Sequence, residues 1–226
     1  MGEHILPGNP PIAVTLRRSS RARRISLRVS GVDGRVTLTL PRGLSEREAL
    51  DFARSKQDWL QGHLESRAPE VPALPGALIP VEGQIFQIEA GGGRRVVIEG
   101  DRLIVPGGQP ARLQAWLKTL ARDRLAAASD RYSAALGRPY GKLTLRDTRS
   151  RWGSCSSSAG LSYSWRLIMA PPEVLDYVAA HEVAHLEQMN HSAAFWDAVA
   201  RLMPDYAAHR QWLRRHGTDL HRYRFD

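Results

Sequence analysis

The chain has 226 residues, 42% of them hydrophobic and 24% charged, which suits one sizeable core or a catalytic domain with a smaller companion. Its formal net charge is +9, a balance that can attract nucleic acid or acidic ligands, although an arginine-dominated excess also follows from genomic base composition. The lone cysteine, Cys155, excludes an internal disulfide framework and a four-cysteine zinc site, so a metal would rest on His and carboxylates.

No apolar run approaches the roughly 18 residues of a membrane span. The N-terminal MGEHILPGNPPIAVTLRR lacks the basic-then-apolar order of a secretory signal. A cytoplasmic protein without a membrane partner is the expectation.

Residues 12–40 read as a β-hairpin. Ile25, Leu27 and Val29 alternate with polar residues, as do Val36, Leu38 and Leu40, and Asp33-Gly34 supplies the turn. Ser45-x-x-Glu48 has the form of a capping box and predicts a helix to about Ser66. Residues 68–77, with three prolines and a glycine, predict a linker. Short β-runs follow around 85–88, 96–98 and 103–105. The glycines at 91–93 carry little phosphate-loop signal, because no helix follows them.

From Pro110 the pattern turns helical over 111–136. Strands are expected at Leu143–Arg146 and Leu161–Arg166. Pro171-Pro172 can open a helix running to about Met189. Ser192 is placed to cap a helix to Met203, ahead of Pro204, and a last helix should end near His216 with Gly217 as terminator. The expected domains are a β-rich region with one helix over 1–107 and an α+β catalytic domain over 108–226.

Chemistry concentrates in His181-Glu182-Val183-Ala184-His185. Two histidines four apart on a helix differ by about 40° in direction, so they share one face as metal ligands require. Glu182, rotated by about 100°, can reach a water beside the metal without ligating it. His191 follows six residues after His185. A continuing helix cannot bring it opposite the first two ligands, so the chain must turn back, with Asn190 as a candidate for a left-handed residue. Three histidines and a water form the open arrangement of a catalytic zinc. Glu187 points away from His185, whereas Asp197, Asp205 and His209 are alternative third ligands.

Arg151-Trp152-Gly153-Ser154-Cys155-Ser156, Trp165-Arg166-Leu167, His181-Glu182-x-x-His185, Asn190-His191-Ser192 and Phe195-Trp196 stand in that order. This arrangement resembles the YgjP-like metallopeptidase family, related to the SprT-like and Wss-type proteases of the zincin superfamily. The resemblance implies a zincin-like fold, with a small sheet on an active-site helix. It also implies Zn(2+) on His181, His185 and His191, and Glu182 as the catalytic carboxylate.

Arg149, Arg151, Ser154 and Tyr163 are candidates for the cleft or an oxyanion site, and Tyr177 and His209 are weaker ones. Trp152 and Cys155 read first as packing residues, and Cys155 also as a thiol able to block a metal. The leading expectation is metal-assisted hydrolysis of a peptide or protein. Alternatives are hydrolysis of a nucleoside triphosphate to pyrophosphate, a DNA-associated protease using the basic run Arg17, Arg18, Arg21, Arg23, Arg24 and Arg28, and a binding module with a relic zinc site.

Overall fold

The structure, a computed structural model, describes residues 2–226. Two compact units divide at Pro69 and Glu70. Among the described residues are six α-helices and four small sheets.

The first unit holds β1 (Glu3–Leu6), β2 (Ile12–Ser19), β3 (Ser26–Val29) and β4 (Val36–Pro41) in the order β1-β2-β4-β3. The β3–β4 hairpin turns through Gly34 at φ 69°, as the Asp-Gly signal predicts, but β2 pairs with β4 in parallel. Ile12, Val14 and Leu16 on β2, with Val36, Leu38 and Leu40 on β4, face one core. The other face stays exposed because side chains alternate along a strand.

The Ser45–Glu48 capping box forms reciprocally and opens α1 (Glu46–Arg54). The single helix expected to Ser66 is instead two, with α2 at Gln57–Glu65. Ser55 marks the break: its hydroxyl bonds the Phe52 carbonyl at 2.8 Å, the local competition with helical bonding typical of serine.

The second unit begins inside the predicted linker, ahead of the expected boundary at 107. The strands β5 (Val71–Pro72), β6 (Leu78–Val81), β7 (Gln84–Gly91), β8 (Val97–Glu99) and β9 (Arg102–Pro106) belong to it. The reason is a shared core: Ile79, Phe86, Ile88, Leu103 and Val105 bury against the same cluster as α3 (Pro110–Leu136). Leu113, Leu117, Ala121 and Leu125 form a stripe spaced by four along that helix, and all are fully buried.

The site-bearing part follows. β10 (Leu143–Arg146), β11 (Gly153–Cys155) and β12 (Leu161–Ser164) form a sheet ordered β10-β12-β11, so β11 is an edge strand. The strand expected to Arg166 stops at Ser164 and passes into a 3₁₀ turn, Trp165–Met169. Then come α4 (Pro172–Ala184), α5 (Ala193–Leu202), α6 (Tyr206–His216), a 3₁₀ turn Gly217–His221 and β13 (Tyr223–Arg224), which pairs with β5.

Helix α4 packs against α3, α5, α6 and β11. Its burial on several sides matches its nearly uniform apolar sequence. Gly217 does not end α6 in the left-handed conformation, since its φ is −57°. It is instead a close-approach residue, where a β-carbon would meet the Trp152 indole at 3.1 Å. Among the described residues, no helix is long and apolar enough to cross a membrane.

Candidate metal centre

His181 and Glu182 lie in the last turn of α4, and His185 caps it. The helix ends at Ala184, five residues before Met189, because the chain reverses there. His185 Nδ1 lies 2.9 Å from the Gln188 carbonyl. A carbonyl only accepts, so Nδ1 carries the proton and Nε2 keeps its lone pair. Asn190 does not adopt a positive φ. It shapes the return through its side chain, whose Oδ1 accepts the Ser192 N–H at 3.2 Å. Ser192 occupies the N-cap of α5 without a side-chain cap bond.

This turn brings His191 back over α4. One ring nitrogen from each of His181, His185 and His191 lies within 4.8 Å of the others. The Nε2 atoms of His181 and His191 are 3.1 Å apart, near the spacing of two ligands at about 2.0–2.1 Å from one tetrahedral zinc. Phe195, fully buried, supports the cluster, with its ring 4.4–4.9 Å from the three imidazoles. The His181 Nδ1 is buried without a hydrogen-bond partner. Burial and the neighbouring His185 and His191 lower the His181 pKa to about 3. Burial also lowers that of His185. Three imidazoles with converging nitrogens are a donor set that fits a borderline-soft dication.

Glu182 is buried and lies against the edge strand β11. The Cys155 backbone N–H donates to its carboxylate. A β-carbon at Gly153 would sit 2.6 Å from Glu182 Oε1, so only glycine admits this packing. Burial raises the Glu182 pKa to about 8, against the opposing charge of Arg151 and the Cys155 N–H.

The three histidines and Glu182 open on a cavity of about 610 Å³. Arg151, Trp152, Ser154, Cys155 and Tyr177 also line it. Trp152 is both wall and packing residue, its indole 5.1 Å from the His221 ring. Burial, then the Glu182 charge, raise the Cys155 thiol pKa. Its Sγ hydrogen points to the Ser156 carbonyl at 3.5 Å, and Cys155 is outside the histidine cluster.

Other sequence candidates fall elsewhere. Tyr163 is a core residue, 1% exposed, with its hydroxyl 3.0 Å from Ser129 Oγ. Arg149 does not line the cavity. Glu187 pairs with Arg201 at 2.9 Å, and His209 with Asp205 at 3.1 Å. Neither these residues nor Asp197 join the histidines. The basic run of the first unit is exposed along β2, β3 and their connection. Sequence reading missed Arg210, Leu213 and Arg214, which line the cavity from α6. Their i, i+3, i+4 spacing was the available signal, hidden among the other basic residues of that helix, His209, Arg215 and His216.

A family model described as "YgjP-like, metallopeptidase domain" matches residues 23–216. The chain belongs to this YgjP-like family and carries a metallopeptidase-family domain. Comparison with curated proteins gives no match. Among solved structures, the chain is similar to the metallopeptidase zymogen of Pyrococcus abyssi abylysin, at 25% identity and a TM-score of 0.36. That likeness covers 46% of this chain and 97% of the other.

Proposed function

We propose that this protein is a zinc-dependent metallopeptidase, with zinc held by His181, His185 and His191 and with Glu182 as general base. The observation that carries the reading is the convergence of three histidine nitrogens within 4.8 Å, beside a buried carboxylate in one open cavity. The second unit would be the catalytic domain, and its β10-β12-β11 sheet, whose β11 packs on α4, would be the small sheet on the active-site helix of a zincin-like fold.

Zinc in this position supplies Lewis acidity, lowering the pKa of a water towards about 7 and polarising a substrate carbonyl. Glu182 takes the proton of the attacking water and passes it to the leaving amine. Its raised basicity comes from burial, and a nearby dication favours the charged form needed to start. The Cys155 N–H holds the carboxylate against β11. Arg151, which lines the cavity, would donate to the developing oxyanion. Trp152 and Tyr177 give the cleft apolar walls that exclude water around the reacting bond.

Elemental analysis and peptide turnover test this together. Wild type should hold about one zinc per chain, His191→Ala should lose it, and Glu182→Gln should keep it while losing about 10²–10⁴-fold in hydrolysis. Full turnover by Glu182→Gln would refute the base. Release of pyrophosphate from a nucleoside triphosphate, with no peptide cut, would refute the peptidase.

A further inference from the structure

We propose that Arg210 and Arg214 form a carboxylate-binding subsite in the cleft, which makes acidic peptides the substrate class of this protein. The inference rests on the peptidase reading above and adds the residues that choose the substrate.

The two arginines stand four apart on α6 and share the face that lines the cavity with the three histidines. Among the described residues, neither has a carboxylate within ion-pairing distance. Arg214 also lies in the last turn of α6, where any cation complements the helix terminus. Arg210 is a full turn earlier, and the helix end does not account for it.

Arg210 is held in place by aromatic rings. Its guanidinium carbon lies 4.3 Å from the centre of the Trp196 ring. Trp196 stacks on Tyr206 at 5.5 Å, and Tyr206 on Tyr177 at 6.4 Å. A guanidinium fixed on one face keeps its edge donors available for a bidentate carboxylate.

Among the described residues, the acidic one lining the cavity is Glu182, on α4 beside β11. A cleft with three arginines and one buried carboxylate draws negative ligands towards the histidines. Leu213, Val178 and Met189 add apolar lining between the charges. The matching ligand is an extended peptide with an aspartate or glutamate close to the bond cut and apolar neighbours.

The test uses internally quenched peptides of one sequence, carrying Glu, Gln or Lys at each position in turn. Binding is measured calorimetrically on zinc-loaded Glu182→Gln protein, and hydrolysis on wild type. At the matching position the Glu peptide should bind about 10–100-fold more tightly than its Gln counterpart, with Lys weakest. Adding Arg210→Gln and Arg214→Gln should bring the Glu-to-Gln ratio to within twofold while zinc content stays at that of wild type. Arg210→Lys should restore only part of the ratio, because an ammonium lacks the fork.

Equal binding of Glu and Gln peptides at every position, or a preference that survives the double substitution, overturns the subsite. If peptides are cut without acidic preference, the subsite fails and the peptidase stands. If none is cut but the arginine-dependent preference remains in binding, the peptidase fails and the subsite stands. Tight binding of a nucleoside triphosphate with no binding of acidic peptides overturns the subsite in favour of a phosphate site.

Discussion

Gly153→Ala separates the placement of Glu182 from the metal centre. The new β-carbon would stand 2.6 Å from both Cγ and Oε1 of Glu182, about 0.8 Å short of the 3.4 Å where ordinary contact begins. The carboxylate must therefore move by nearly 1 Å away from β11 and away from the Cys155 N–H. A misplacement of that size costs about 10²-fold in rate, or about 2.7 kcal/mol of transition-state stabilisation. Overpacking of the native state costs about 1–3 kcal/mol, at the low end because a side-chain terminus can yield. The histidines are untouched, so zinc per chain should equal wild type. The assay is kcat/KM on a cleaved peptide beside metal content and Tm. Wild-type kcat/KM in a folded, zinc-loaded Ala variant would refute the claim that Glu182 acts from its seat on β11.

Other outcomes follow from the packing around the site. Arg166 is 8% exposed, pairs with Asp147 at 2.7 Å and donates to the carbonyls of Leu220 and Tyr223 at 3.1 and 3.0 Å. Arg166→Met should destabilise by about 2 kcal/mol and lower Tm by about 4–8 °C, less than for a fully buried pair because Asp147 stays 43% exposed. Tyr163→Phe should cost about 1 kcal/mol by leaving the Ser129 hydroxyl unpaired, and a large loss of kcat in a stably folded variant would return Tyr163 to the cleft. Leu117→Ala on α3 should cost about 2–5 kcal/mol in chemical unfolding. Acid should loosen the C-terminal segment. Burial, then Arg166, lower the His221 pKa to about 4, so the unfolded chain protonates first and stability falls as pH drops from about 6.5 to 4. Burial raises the Asp147 pKa but Arg166 outweighs it and holds it low, so its contribution is lost further down in pH. Thermal unfolding between pH 7 and 4 measures this slope, which His221→Asn should reduce.

Local chemistry made much of the fold readable. The Ser45 capping box, the Asp33-Gly34 turn, the span of α3 and the β10 strand all rest on neighbours within a few residues. Features set by distant contacts were not readable. The end of α4 depends on a bond from His185 to the Gln188 carbonyl and on the return of His191, which an apolar helix pattern extends past. Gly217 reads as a helix terminator but serves Trp152, 65 residues earlier in the chain. Strands β6 to β9 read as part of a separate N-terminal domain because only the packed core joins them to α3. The histidine spacing was legible because a helix turns sequence distance directly into direction. Tyr163 was misplaced because alternation along β12 does not say which face meets the cleft.

Two glycines define how the cleft wall is built. Gly153 lets Glu182 lie against the β11 backbone, and Gly217 lets Trp152 lie against the C-terminal turn. Both contacts bring a functional side chain closer to main chain than any other residue would allow. Arg166 then fastens the C-terminal turn through the Leu220 and Tyr223 carbonyls, and fastens the end of β10 through Asp147. The wall that positions Glu182 and Trp152 is thus tied at both ends by one buried guanidinium. On the proposed peptidase reading, such bracing would spare side-chain reorganisation when substrate binds, as preorganised catalysis requires. An edge strand also leaves backbone donors such as the Cys155 N–H unpaired and available to the Glu182 carboxylate.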